Sequence, residues 1–233
     1  MSNSDLQALF TTLEMAALTT VILLIIGTPL AWYLAKMTSR FKVIIEAIVA
    51  LPLVLPPTVI GFYLLIAFSP EHLPGQLWQQ TTGQQLAFSF SAIVIGSVLY
   101  SLPFVVQPLQ KAFEQLGDSL IEAGALLGAG PIDRFFSIVL PLTKASFITA
   151  ATLGFAHTVG EFGIILMIGG NIPGETRVLS IALFDHVEAF DYARAHLLAF
   201  SLLGVSMVVL ALIYGLNLPK KHPRNKVELN NDK

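Results

Sequence analysis

Charged residues are absent from four long stretches of this chain, residues 15–35, 47–70, 86–110 and 197–219, and each is long enough for the ~20 residues that a helix needs to cross a bilayer. A fifth stretch, 142–168, is interrupted by Lys144 near its start and by His157 and Glu161 further along. The pattern predicts an all-α membrane protein with about five transmembrane helices. Between the third and fourth spans lies a polar-flanked island, residues 119–141, that cannot itself span a membrane.

Inside that island Ser119 and Glu122 have the spacing of a capping box, which predicts a short helix starting there. Leu120, Gly124 and Leu127 recur on one helical face, and Ala123, Gly124, Ala125 and Gly128 keep much of that surface nearly bare, so another backbone can approach closely. Gly128 and Gly130 suit a helix end, and Pro131 suits the first position of a second short helix carrying Phe135 and Phe136. Two short helices joined by a tight turn are expected.

The spans are not uniform. Pro29 removes a hydrogen bond from the first and should bend it, while Trp32 and Tyr33 suit its interfacial end. In the second, Pro52, Pro56 and Pro57 should together break the helix at membrane depth, where irregular backbone is tolerated only under protein or around a water-filled cavity. Pro56, Pro57 and Thr58 are therefore pathway candidates, a kinked packing helix being the plainer reading. The third span holds Ser89, Ser91, Ser97 and Ser101 ahead of Pro103 and Pro108, a pattern that small-residue helix contacts alone also produce.

Composition narrows the class. Of 233 residues, 55% are hydrophobic and only 12% charged, against about a quarter charged in soluble domains. One domain fits the length: a membrane core over 11–217, the loop region 112–141 and a polar tail 218–233. A net charge of −2 gives no basic footprint for nucleic acid, and the absence of cysteine removes disulfides and thiolate metal sites. The N-terminus lacks the basic region of a cleavable signal peptide, so the first span should stay. No phosphate loop ending in Gly-Lys-Ser/Thr occurs, no His/Asp/Glu cluster has metal-ligand spacing, and no serine has an evident base partner. Neither an enzyme nor a bound cofactor or metal is expected.

Lys and Arg set the orientation. Lys36, Arg40 and Lys42 follow the first span, Lys111, Arg134 and Lys144 surround the island, and Lys220, Lys221, Arg224 and Lys226 follow the last span. Those segments should be cytoplasmic, with the N-terminus outside and the C-terminus inside. The opposite loops carry little positive charge. One of them, 69–85, mixes Pro70, Pro74, Trp78 and several glutamines as an interfacial cap would. The other, 171–191, combines an amphipathic run through Leu179, Leu183, Phe184 and Val187 with Glu175, Asp185, Glu188 and Asp191 expected to be exposed. An acidic outer face suits docking another protein better than capturing a free anion.

The fourth span concentrates the polar chemistry, with Thr149, Thr152, Gly154, His157, Thr158, Gly160, Glu161 and Gly163 interrupting its apolar run. A carboxylate at membrane depth is a functional candidate by default. Ionised, Glu161 would repel any unit anion beside it by roughly 3 kcal/mol at ~6 Å and an effective dielectric of ~20. It is expected instead to accept backbone hydrogen bonds at a gating bend beside Gly160 and Gly163, or to sit protonated against another helix. His157, at i, i+4, is a possible partner. Thr58, Ser101 and Thr152 are ion-contact candidates on polarity and depth.

In the island, Glu122-Ala123, then Gly128, then Phe136, Ile138, Leu140 and Pro141 resemble the cytoplasmic coupling loop of ABC-importer permeases, with Gly124 standing where that motif often has a second alanine. The resemblance implies a type I importer permease fold. It also implies that Glu122, Ala123, Gly124, Gly128, Ala129, Gly130, Phe136 and Pro141 form a knob docking into a cleft on an ATP-hydrolysing subunit. Gly160-Glu-Phe-Gly163, the following Asn171-Ile-Pro-Gly-Glu-Thr-Arg177, the prolines of 51–57 and the 127–130 turn look like molybdate ABC transporter permeases, a similarity covering 11–217. Sulfate permeases share several of these features, so tungstate, sulfate or thiosulfate remain alternative cargoes.

The family resemblance implies a bacterial cytoplasmic (inner) membrane location and a homodimer with a path at its interface. Its implied partners are two ABC ATPase subunits, an external (periplasmic or extracellular) oxyanion-binding protein and membrane lipid. A secondary transporter using Glu161 as a proton carrier is the rival from another class; it would show internal repeats, and none is seen. A non-transporting scaffold is a third reading, which copurification with an ATPase would exclude.

Overall fold

A computed structural model describes residues 2–216, and every regular element among them is helical. The polar tail expected over 218–233, with Lys220, Lys221, Arg224 and Lys226, lies outside the described residues. Helix α1 (Asn3–Lys36) starts on a capping box of its own: Ser2 Oγ accepts from the Asp5 N–H at 3.2 Å and Asp5 Oδ2 accepts from the Ser2 N–H at 2.8 Å. At ~1.5 Å per residue its 34 residues outreach a ~30 Å hydrocarbon core, and it continues through Pro29 without a break.

Because a span is apolar all round, hydrophobicity does not reveal which face of α1 is packed; residue size does. Its buried stripe runs through Ala8, Thr12, Ala16, Thr19, Leu23, Gly27, Ala31 and Leu34, while Phe10, Val21, Ile25 and Ile26 face outward. Small residues let helix backbones approach where no water-driven force brings them together. The stripe packs on α5 (Phe90–Leu116) and α8 (Leu140–Val159), and Val105 marks where the three meet. A Cβ on Gly27 would lie 3.1 Å from its Cγ1, and one on Gly154 would lie 2.9 Å from its Cγ2.

The second span is broken as the prolines predict. α2 (Phe41–Ala50) passes through a 3-10 turn, Leu51–Leu53, holding Pro52; Pro56 is extended, and Pro57 opens α3 (Pro57–Phe68) at 105° to the preceding half. With the bent pair taken as one span, the described helices supply five candidate crossings. A short α4 (Leu73–Thr82) fills the first of the outer loops, ending on a left-handed Gly83.

The island forms α6 (Ser119–Leu126) and α7 (Pro131–Arg134), with Gly128 at φ +88° in the turn and Pro131 in the first turn of α7. Two details differ from expectation. Asp118, not Ser119, holds the N-cap position, and no side chain caps the helix, because the Asp118 carboxylate is taken by Lys36 in an ion pair. Nor does α7 stop: it continues through a π-helical turn, Phe135–Val139, into α8, so one helical run extends over Pro131–Val159.

That run ends earlier than 168. After Val159 the chain turns through 160–162 and restarts as α9 (Gly163–Gly169), followed by a strap, α10 (Leu179–Glu188) and α11 (Tyr192–Leu216). Thr12 joins the start of α10 to α1, donating to Ala8 O at 2.7 Å while accepting from the Leu179 N–H at 2.8 Å.

Candidate functional site

The two helix breaks meet. α9 lies against α3 through glycines: a Cβ on Gly61 would sit 2.8 Å from Met167 Cβ, and one on Gly163 would sit 3.1 Å from Pro57 Cβ. At this junction is a cavity of about 560 Å³ lined by Pro57, Thr58, Tyr100, His157, Gly160, Glu161 and Gly163, together with Ala156, Phe162 and Ile164. The broken second span, the kinked-sequence third span and the end of the fourth thus share one space. Irregular backbone within one candidate span and at the end of another finds its cover here.

Glu161 is only 5% exposed and its Oε2 lies 2.5 Å from the Ser97 hydroxyl on α5; its own backbone carbonyl accepts from Ser180 Oγ at 2.5 Å. The other carboxyl oxygen, Oε1, is buried without a hydrogen-bond partner among the described residues. Of the two expectations for this side chain, backbone hydrogen bonds at the bend are not made, and contact with another helix is.

The possible His157–Glu161 pair does not form, since α8 ends between them and the i, i+4 register is lost. Each goes separately to α5: His157 Nδ1 lies 2.9 Å from Ser101 Oγ, and Glu161 reaches Ser97. It is the serines that stand i, i+4 on a continuous helix. Ser101 also meets Thr158 Oγ1 at 3.1 Å, and Thr158 donates to Gly154 O at 2.9 Å. Every hydrogen is used once if His157 Nδ1–H donates to Ser101, Ser101 to Thr158 and Thr158 to Gly154. That assignment leaves Nε2 of a neutral His157 as an acceptor. The ring is held between Phe104, stacked at 4.0 Å, and Tyr100 at 5.0 Å.

Thr152 is not brought to the cavity. Its hydroxyl donates to Ile148 O at 2.6 Å, and five residues before His157 it points to a different side of α8. Ser101, fully buried, stands behind His157, and Pro56 caps α3 at the cavity's edge without lining it. Tyr100 and the partner role of Ser97 were not foreseen; the i, i+4 spacing of Ser97 and Ser101 in an apolar span was the available signal.

At the other end of the same helices, the loop tip presents apolar surface outside the spans: Leu126 and Leu127 are 90% and 89% exposed, with Ile132 and Phe136 also open. Glu122, Ala123, Gly128 and Gly130 share this exposed segment, Ala129 is half-buried, and Pro141 stands apart in the first turn of α8. Gly124 faces inward, where a Cβ would come 2.7 Å from Ile138 Cδ1, so the bare surface expected there is filled by the chain's own next helix. The tip is fastened to the spans by the Lys36–Asp118 ion pair and by Trp32, which makes edge contacts with Phe113 at 5.1 Å and Phe135 at 6.3 Å.

The segment 171–191, which includes the strap and α10, is less acidic on its surface than expected. Asp185 is half-buried, bound to Arg177 at 2.8 Å and to Asn171 Nδ2 at 3.1 Å, and Asp191 pairs with Arg194 at 3.3 Å; Glu175 and Glu188 remain exposed. His186 Nε2 lies 3.1 Å from the buried Asp5, tying α10 to α1.

A broken-helix membrane domain with an exposed apolar loop tip is the arrangement of a transport permease, and the comparisons agree. The chain belongs to the family of binding-protein-dependent transport system inner membrane components, whose model matches residues 27–218. It is 56% identical over 214 residues to the molybdenum transport system permease protein ModB of Azotobacter vinelandii, covering 92% of this chain and 95% of that one. It is 33% identical over 189 residues to the sulfate transport system permease protein CysT of a Synechocystis strain, covering 81% of this chain and 66% of that one. Among solved structures it superposes with a TM-score of 0.73 on a chain of a bacterial alginate ABC transporter in complex with an alginate pentasaccharide-bound periplasmic protein. That match has 14% identity and covers 93% and 79% of the two chains; it concerns the fold.

Proposed function

We propose that this chain is the permease subunit of an ATP-driven importer of molybdate. The observation that carries the cargo is the similarity to the Azotobacter vinelandii molybdenum permease along nearly the whole of both chains, broken helices and loop tip included. Two copies would form the membrane unit, with the cavity at the helix breaks bordering their shared path. Two separate ATPase subunits would grip the loop tips around Glu122, Gly128 and Phe136, and an external oxyanion-binding protein would deliver the ion to the strap and α10. The N-terminus lies outside and the loop tip inside, as the distribution of Lys and Arg favours.

The mechanics follow from how the tip is fastened. Closure of the ATPases on nucleotide moves α6 and α7. The Lys36–Asp118 pair and the Trp32 contacts carry that displacement into α1, and the π-turn carries it into α8. At the far end of α8 lies the bend at 160–162, so a rigid movement of this helix changes the cavity between Thr58 and Glu161. ATP-dependent uptake of labelled molybdate against sulfate, in vesicles carrying the reconstituted complex, tests the reading. Molybdate preference is expected. Preference for sulfate, which the similarity to a sulfate permease supports as second reading, would remove the cargo and keep the importer.

A further inference from the structure

A buried carboxyl group with one oxygen unused lines a cavity read above as an oxyanion path, and its two facts conflict if the group is ionised. Among the described residues the charge would have a single hydrogen-bond donor, Ser97, although a carboxylate offers about four acceptor sites. None of the ion pairs among the described residues includes Glu161, and neither lysine nor arginine lines the cavity. The remaining titratable group of the cavity, His157, is turned away from the carboxyl: its Nδ1 lies at Ser101, its ring is held between Phe104 and Tyr100, and it forms no ion pair with Glu161 among the described residues. A negative group in this place would both lack compensation and repel the cargo.

We propose that Glu161 meets the passing oxyanion as an uncharged carboxylic acid, with Ser97 holding Oε2 and Oε1, buried while the cavity is empty of cargo, carrying the proton it donates once the ion enters. The same space offers Thr58, in the first turn of α3 at the positive end of that helix, and the hydroxyl of Tyr100 as further uncharged donors. A tetrahedral dianion would then be passed by a set of neutral donors, which releases it more readily than a fixed lysine or arginine would. This proposal rests on the importer reading.

The test uses the reconstituted permease–ATPase complex with Glu161→Gln and Glu161→Ala. Glutamine keeps an N–H donor at the position and cannot ionise, so E161Q is expected to retain ATP-dependent molybdate uptake within about threefold of wild type, while E161A loses tenfold or more. E161Q no better than E161A would mean that a charge or a transferable proton is required, and E161A as active as wild type would mean no contact; either overturns the proposal. Infrared difference spectra give a readout independent of transport. The wild-type complex should show a carboxylic-acid C=O band that E161Q lacks and that shifts when molybdate is added. A wild type without that band, or with a band that molybdate leaves unmoved, overturns the role of Glu161 alone, whereas a wild type that takes up neither molybdate nor sulfate overturns the importer reading itself.

Discussion

Ser97 is a small residue on which the buried carboxyl group depends. Among the described residues its hydroxyl is the one hydrogen-bond partner of the Glu161 side chain, and it is completely buried. Replacing it by alanine leaves both carboxyl oxygens unsatisfied, at a cost of about 1–3 kcal/mol. Ser97→Ala should lower the unfolding midpoint of the purified permease in a thermal scan, and an unchanged midpoint would mean that the contact contributes nothing. This pairing was not legible in the sequence, where His157 looked like the partner of Glu161 because the two are four residues apart. Such spacing brings side chains together only on an unbroken helix, and the break after Val159 separates these two. The capping role given to Ser119 failed for a related reason: a contact distant in sequence, Lys36 to Asp118, took the group that local spacing would have used.

At the scale of elements, the close approach of α3 and α9 holds the two breaks together. A methyl group on Gly61 would meet Met167 Cβ at 2.8 Å and the Ile164 backbone at 3.3 Å, and overpacking of this kind costs about 1–3 kcal/mol. Gly61→Ala should therefore lower the midpoint and impair uptake together; uptake at the wild-type level would show that the junction has slack. Gly128 makes a different demand, because its φ of +88° strains any other residue by roughly 1–2 kcal/mol. Gly128→Val should leave the protein inserted in the membrane while abolishing ATP-dependent uptake, a pairing that membrane fractionation and transport assays read separately. Helix positions were largely legible, since a bilayer demands long apolar runs and prolines announce their interruption. The ends of the fourth span were not. Asp133, Arg134 and Ser137 lie on its first turns, so a count of uncharged residues starts it too late, and the glycines at 160 and 163 that end it were read as a bend within it.

On the scale of the whole molecule, the proposed function makes this chain a membrane part moved from outside itself. The cavity at the two breaks and the apolar tip sit at opposite ends of α8, so force applied at one end is delivered at the other. The overall architecture and the loop could be read from the sequence because the coupling pattern occupies a contiguous stretch. The cavity could not, because it is assembled from three spans far apart in the chain, and only their packing shows that Thr58, Tyr100 and Glu161 share a space. Since the chain contains no cysteine, a single one can be introduced without removing others. Leu127→Cys, at the exposed tip, tests the claim that the tip grips a motor subunit. In the assembled complex it should crosslink to the ATPase subunit and resist membrane-impermeant thiol reagents applied from outside the cell. Absence of any crosslink to the ATPase, or ready labelling from the outer side, would contradict the account.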